Sequence, residues 1–100
     1  MYHKILELIR KAATERRVYL TIHANKELKN DYLTYQDVIH CLLGGEIIEQ
    51  QIDSTTSEEK YLLYGDALNG VEMAVVTKLG YDQSSIIITV YRLRITDYDI

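Results

Sequence analysis

The chain has 100 residues, which is enough for one domain around a single hydrophobic core. Its apolar share of 47% and charged share of 26% are ordinary for a globular protein, and its net charge is −4. One Cys excludes an internal disulfide, no apolar run approaches a membrane span, and charged residues interrupt the N-terminus, unlike a signal peptide. We therefore expect a single cytoplasmic domain over residues 1–100, without membrane association.

The first half of the chain carries the signals of three helices. Apolar residues at helical spacing predict an amphipathic helix over residues 2–16. Residues 18–20 form a short β-prone link, and the hydroxyl of Thr21 then caps a brief second helix. Thr34 and Asp37 have the spacing of a capping box for a third helix, which a pair of glycines ends.

After the two glycines the apolar period changes to that of a strand. Four strands are predicted, at 46–52, 60–66, 71–79 and 85–94. Asn69-Gly70 marks a hairpin between the second and third strands, because this pair tolerates positive φ. The last strand is almost continuously apolar, so we expect it inside the sheet. The element order predicts an α+β fold, with N-terminal helices packed on one face of a four-stranded antiparallel sheet.

The sequence offers little for a metal or a cofactor. The three His residues and Cys41 lack paired ligand spacing, so we expect no metal site. We also expect no cofactor, because there is no phosphate loop, dinucleotide fingerprint or nucleophile elbow. Cys41 lies beside two Leu residues in the predicted third helix, which is typical of a buried thiol rather than a nucleophile.

General acid–base chemistry remains as an option for individual residues. His23 follows the predicted helix cap, where an imidazole can accept or relay a proton. Tyr64 and Tyr91 lie in the second and fourth predicted strands, and a phenol can donate to a developing charge. The alternatives are structural: His23 braces its helix, and the nine Tyr residues are simply half-exposed.

A small cationic patch is predicted near the end of the last strand. Arg92 and Arg94 lie there, with Lys60 and Lys78 on neighbouring strands, and such a group can bind phosphate. The alternative is a solvated strand end without a ligand. Residues 51–100 carry four basic and eight acidic side chains, a handicap for nucleic-acid binding because phosphate contacts supply most of the non-specific affinity.

The order of several short motifs resembles the DUF4258 family over residues 15–94. The motifs are Leu20-Thr21-Ile22-His23-Ala24, Leu33-Thr34, Asp37-Val38, Leu42-Leu43, Tyr61-Leu62-Leu63-Tyr64-Gly65, Val75-Val76 and Ile87-Ile88-Thr89-Val90-Tyr91. Many relatives have Arg where this chain has Glu27. The resemblance implies a compact RelE-like domain, often found beside a small zinc-ribbon antitoxin. It also implies mRNA cleavage without a metal, through basic residues and general acid–base side chains.

The leading hypothesis is therefore a toxin of a type II toxin–antitoxin pair, an endoribonuclease that acts on mRNA or at the ribosome. Its catalytic residues are His23, Tyr64, Tyr91 and Arg92. Its RNA phosphate contacts are Lys60, Lys78, Arg92 and Arg94. The alternative is a non-catalytic module that binds a protein through its sheet edge or a tyrosine-lined groove. A third hypothesis is a homodimer that forms through an exposed strand edge.

Overall fold

The computed structural model describes residues 1–93, which form three helices and five strands. The helices are α1 (His3–Thr14), α2 (Ile22–Asn30) and α3 (Tyr35–Gly44). The strands are β1 (Val18–Leu20), β2 (Glu46–Ile52), β3 (Glu59–Asp66), β4 (Glu72–Leu79) and β5 (Ser85–Arg92). The three predicted helices and four predicted strands are confirmed with small shifts at their ends, whereas Arg94 lies outside the described residues. Within the described part of the chain, no helix is long and apolar enough to cross a membrane.

All five strands form one mixed sheet in the order β1-β5-β4-β3-β2. The α+β class is confirmed, but the prediction of four antiparallel strands is wrong. Residues 18–20 are a strand rather than a link, because Val18 pairs with Ser85 and Leu20 with Ile87, parallel to β5. A segment of three residues is too short to show the alternation of a strand in its sequence. Its pairing with β5 is what shows that it is a strand. β5 therefore lies between β1 and β4, as its apolar run predicts.

The hydrophobic core lies between the helices and one face of the sheet. Leu63, Val75 and Val90 pair in register across β3, β4 and β5 and are fully buried on this core face. The helices contribute further buried side chains, which include Ile9, Ala24, Val38 and Leu42. Successive residues of a strand point to opposite faces, so the core face takes only every second strand residue.

We call the opposite face of the sheet the open face. Its members alternate with the core residues along β1, β3, β4 and β5, and they are Tyr19, Lys60, Leu62, Tyr64, Ala74, Val76, Lys78, Ile86, Thr89 and Tyr91. Tyr19 and Tyr64 are exposed, whereas Leu62 and Val76 are half-buried. The open face therefore offers aromatic and aliphatic surface to solvent.

The two edge strands of the sheet differ in length. β1 has three residues and β2 has seven. Ile47 pairs with Leu63 and Glu49 with Leu62, so Ile48 is an extra residue that interrupts β2 as a β-bulge. Its side chain is exposed, between two glutamates at positions 46 and 49.

The predicted hairpin between β3 and β4 is confirmed, and it is tied to α3. Gly70 has a φ of +87°, a conformation that residues with a Cβ rarely adopt. The Asp37 carboxylate accepts hydrogen bonds from Leu68 N (3.0 Å) in this hairpin and from Thr34 N (2.8 Å) in the predicted capping box. Burial raises the pKa of Asp37, but these hydrogen bonds outweigh it and hold the pKa below its usual value. One charged carboxylate thus joins the helix to the hairpin.

The end of α3 lies directly against β3 because two glycines meet there. A Cβ on Gly45 would lie 2.5 Å from both Leu63 Cδ2 and Tyr64 O. A Cβ on Gly65 would lie 2.7 Å from Cys41 O and 3.1 Å from Gly45 Cα. Cys41 is fully buried, as predicted, and burial raises the pKa of its thiol to about 12.

We expect Gly45→Ala to lower the free energy of unfolding by about 1–3 kcal/mol, because the new Cβ would overlap Leu63 and the backbone of β3. Gly44→Ala is the matched control, since a Cβ there meets nothing within 4 Å. The control should leave stability unchanged or raise it slightly, because Ala favours a helix more than Gly does. Urea unfolding followed by circular dichroism measures both. Equal unfolding midpoints for the two variants would contradict the close contact.

Candidate functional site

Within residues 1–93, the second half of β5 has no strand partner on the side of β1. β1 ends at Leu20, so the backbone N–H groups of β5 beyond that point need other acceptors. Side chains of α2 and of its C-cap residue Asp31 supply these acceptors. Glu27 Oε1 accepts from Val90 N at 3.2 Å, and Asp31 Oδ2 accepts from Arg92 N at 2.8 Å. Two carboxylates therefore replace the missing strand.

A β-bulge in β5 turns these N–H groups toward α2. Ile87 and Thr89 pair with two consecutive residues of β4, so Ile88 is the extra residue. Before the bulge, Ser85 donates its N–H to Arg17 O, on the side of β1. After the bulge, the N–H groups of Val90 and Arg92 point to the carboxylates of α2 and its C-cap instead. The shift also sets the side chains of the strand end, with Tyr91 on the open face and Arg92 on the core face.

His23 lies at this end of the sheet, beside Glu27. Its Nε2 is 3.3 Å from Glu27 Oε1, the same oxygen that accepts from Val90 N at 3.2 Å. The imidazole is 68% exposed, so a ligand can reach it from solvent. One carboxylate thus orients the imidazole and connects it to β5.

Tyr64 and Tyr91 lie on the open face with Ala74 between them. The register pairs Ala74 with Tyr64 of β3 on one side and with Tyr91 of β5 on the other. Burial raises the pKa of Tyr91, and the nearby Tyr64, Glu27 and Glu49 raise it further. Tyr91 therefore keeps its phenolic proton at neutral pH and is a hydrogen-bond donor there.

Arg92 lines a depression between α2 and the end of β5. It pairs with Met73, which is fully buried on the core face. The depression has a volume of about 320 Å³, and its lining residues are Glu27, Asn30, Asp31, Val90, Tyr91 and Arg92. The Nε of Arg92 is buried and finds no hydrogen-bond partner among the described residues. Arg92 and Tyr91 therefore meet in one depression, which Glu27 links to His23.

The two predicted lysines lie at the other end of the open face, and acids engage both. Lys60 Nζ is 3.6 Å from Asp53 Oδ2, and Lys78 Nζ is 2.9 Å from Glu58 Oε2. Lys60 precedes Tyr64 by four positions along β3, a separation of roughly 13 Å at the rise of a strand. The structure does not bring the lysines to the depression, and of the four predicted phosphate contacts only Arg92 is described there.

The other two His residues have structural partners elsewhere. His40 Nδ1 lies 2.9 Å from Asp66 O, and His3 Nε2 lies 2.9 Å from Glu7 Oε1. Among residues 1–93, no three His, Cys, Asp or Glu side chains are grouped so that they could hold a metal ion. His23 is the histidine beside the depression, and with its neighbours it can transfer protons and stabilise negative charge.

Sequence reasoning did not assign Glu27 and Asp31 to the site. The signal that could have found them is their spacing, because His23, Glu27 and Asp31 follow one another at intervals of four and share one side of a helix. Local sequence does not show that this side lies against β5, since the two hydrogen bonds span 63 and 61 residues.

Most of the chain matches the model of a known family. The family model described as Domain of unknown function (DUF4258) matches residues 20–92. The matched range runs from the last residue of β1 to the last residue of β5, so it contains every residue that lines the depression. Comparisons with curated proteins and with solved structures find no match.

We expect Glu27→Ala to lower the free energy of unfolding by about 1–3 kcal/mol, because Val90 N–H then has no acceptor in a buried place. Glu27→Gln keeps an amide oxygen at this position and should retain most of the stability. Lys26→Ala, at an exposed neighbouring position on α2, is the control and should change stability by less than about 0.5 kcal/mol. Thermal unfolding and exchange of the Val90 amide hydrogen measure the effect. An Ala variant as stable as wild type, with an equally protected Val90 amide, would contradict it.

Proposed function

Because the chain belongs to the DUF4258 family, we propose that it is a RelE-like toxin of a type II toxin–antitoxin pair. Its activity in this proposal is endonucleolytic cleavage of mRNA, either free or at the ribosome, with no metal required. Its partner is a small zinc-ribbon antitoxin that neutralises it. The family resemblance supports the class of protein, and the depression beside α2 supports the chemistry.

The observation that carries the proposal is the convergence of His23, Tyr91 and Arg92 at one end of the sheet. His23 comes from the start of α2, whereas the other two residues come from the end of β5. Glu27 joins the two elements, and Tyr91 and Arg92 line the same depression. General acid–base catalysis needs proton acceptor, donor and charge stabiliser within reach of one substrate, and these three side chains are of those types.

The proposed reaction is an internal transfer within the RNA. His23 accepts the proton of a ribose 2′-OH, and the 2′-oxygen forms a bond to the adjacent phosphorus. The bond from that phosphorus to the 5′-oxygen breaks, and Tyr91 gives its phenolic proton to the leaving oxygen. The products are one RNA end with a 2′,3′-cyclic phosphate and one with a 5′-OH. The Arg92 guanidinium stabilises the charge on the phosphoryl oxygens while phosphorus is five-coordinate.

Other residues support this reaction without taking part in the bond changes. Glu27 fixes the ring of His23 and stabilises its cation once the proton is accepted. Tyr64, across Ala74 from Tyr91, offers a second hydroxyl to an RNA strand on the open face. Lys60 and Lys78 are too far away to contact the reacting phosphate and would contact a more distant phosphate of the same strand.

We expect His23→Ala to slow RNA cleavage by about 10²–10⁴-fold, because the proton acceptor is lost. His3→Ala is a matched control, since His3 is also exposed and also lies beside a glutamate four positions on, but on α1. Its cleavage rate should equal that of wild type. A fluorescent single-stranded RNA in the presence of EDTA reports the rate, and mass spectrometry identifies the cyclic phosphate.

A second pair of variants separates the roles of the two strand-end residues. Tyr91→Phe should lower the rate and leave RNA binding intact, because it removes the proton donor and keeps the ring. The matched control is Tyr81→Phe at a fully exposed position, which should behave as wild type. Wild-type protein that leaves RNA intact in this assay and leaves mRNA intact when expressed in bacteria would show that the proposed function is wrong.

The second candidate function is a non-catalytic module that binds a protein. The observation that favours it is the charge around the open face. Both lysines of that face are paired with acids, and Glu27 and Glu49 lie close enough to Tyr91 to act on it electrostatically. Such a field repels phosphate and attracts a cation, so it suits a basic protein partner better than an RNA strand.

A further inference from the structure

The open face is organised in rows of residues that pair across the sheet. One row runs through Glu46, Tyr64, Ala74 and Tyr91, on β2, β3, β4 and β5 respectively. Ala74 is fully buried although it lies on the open face, and its neighbours in the row are the larger Tyr64 and Tyr91. Since strands are about 4.8 Å apart, the two tyrosines of the row are roughly 10 Å apart at their Cα atoms. We call Tyr64, Ala74 and Tyr91 the tyrosine platform.

The tyrosine platform can accept a cation against two aromatic rings. A cation is attracted by an aromatic ring when it lies within about 6 Å of the ring centre. Tyr64 and Tyr91 are the neighbours of Ala74 on the two adjacent strands, so a cation over this row has one tyrosine on each side, each about 5 Å away along the row. Tyr91 keeps its proton at neutral pH, so its ring is that of a neutral phenol.

Carboxylates stand at both ends of the platform. Glu27 lies beyond Tyr91 on the side of α2, where its oxygen accepts from Val90 N. Glu46 pairs with Tyr64 itself, and Glu49 pairs with Leu62 in the adjacent row. Both residues of β2 are exposed. Lys60 and Lys78, the cations of this face, lie at its far end and are already bound to acids.

We propose that the tyrosine platform, between Glu27 at one end and Glu46 and Glu49 at the other, binds an arginine side chain of a protein partner whose segment lies across the open face. The inference rests on protein binding, the second candidate function, and does not require RNA cleavage. If the protein also cleaves RNA, an arginine seated here covers Tyr91 and therefore competes with the substrate.

The chemistry favours arginine over the other cationic or planar groups. A guanidinium is flat, so it can lie on tyrosine rings while its N–H groups reach carboxylates at the sides. A lysine ammonium is a compact and strongly hydrated charge, so it cannot stack flat on the tyrosine rings. A nucleobase can also stack on tyrosine, but its phosphates would then lie beside three carboxylates, which repel them.

The test uses a short fluorescein-labelled peptide that carries one arginine between valines, and the same peptide with citrulline instead. Citrulline has nearly the shape of arginine but no charge. Fluorescence anisotropy on the full chain should give about tenfold tighter binding of the arginine peptide, which corresponds to about 1.4 kcal/mol. Binding should weaken as salt is raised, because the contact is electrostatic.

Variants of the exposed platform residue separate the ring from the hydroxyl. Tyr64→Leu should weaken binding of the arginine peptide about tenfold, whereas Tyr64→Phe keeps the ring and should bind as wild type. Glu49→Gln should weaken binding about threefold at low salt. The matched controls are Tyr81→Leu, at a fully exposed position outside the platform, and Glu7→Gln on α1, and both should bind as wild type.

The proposal is wrong if the arginine and citrulline peptides bind equally, or if neither peptide binds at millimolar protein. It is also wrong if the Tyr64→Leu variant binds the arginine peptide as wild type while its circular dichroism spectrum is unchanged.

The His23→Ala variant separates this inference from catalysis. It should bind the arginine peptide as wild type does even where RNA cleavage is lost. Cleavage that depends on His23 together with no arginine preference would overturn the arginine site and leave the proposed endoribonuclease standing.

Discussion

The hydrogen bonds from the backbone of β5 to the carboxylates of Glu27 and Asp31 are the interaction on which the rest of the structure depends. A central strand needs acceptors along both of its edges, and β1 supplies them over only three residues. The helix α2 begins just after β1 ends. The carboxylates of Glu27 and Asp31 then accept the backbone hydrogen bonds that a longer β1 would have accepted. This contact fixes how α2 lies against the sheet. It therefore also fixes the position of His23, which shares a carboxylate oxygen with Val90.

The bulge at Ile88 explains why one strand contributes two different groups to the site. It shifts the alternation of β5 by one residue, so that the strand ends with an aromatic hydroxyl on the open face and a guanidinium on the core face. Tyr91 and Arg92 lie on opposite faces of the sheet, so in the middle of a strand the backbone would separate their side chains. At the strand end both reach the depression beside α2. The candidate site thus lies where regular strand pairing stops and side chains accept the backbone hydrogen bonds.

Patterns within short stretches of sequence predicted most of the fold, and contacts between distant residues account for what they missed. The capping box at Thr34 and Asp37, the hairpin at Gly70 and the buried Cys41 each follow from neighbouring residues, and each is confirmed. β1 was missed because three residues carry no period, and its pairing with β5 joins residues from opposite halves of the chain. The ion pairs of the two open-face lysines escaped prediction for a related reason, since both acids come from the loop between β2 and β3. The end of β5 was predicted as the site, but the helix carboxylates that position it were not.

The β-bulge at Ile48 in β2 affects whether identical chains can associate through this edge of the sheet. An unpaired edge with exposed aliphatic side chains, such as Ile48 and Ile52, is the kind of surface from which strand-mediated fibrils grow. A bulge bends the edge, and glutamates at positions 46 and 49 would face the same charges of an identical neighbour. Growth by identical chains is therefore disfavoured, while a foreign strand with basic side chains meets no such repulsion. The glutamates that disfavour pairing with an identical chain therefore favour a partner strand that carries basic side chains.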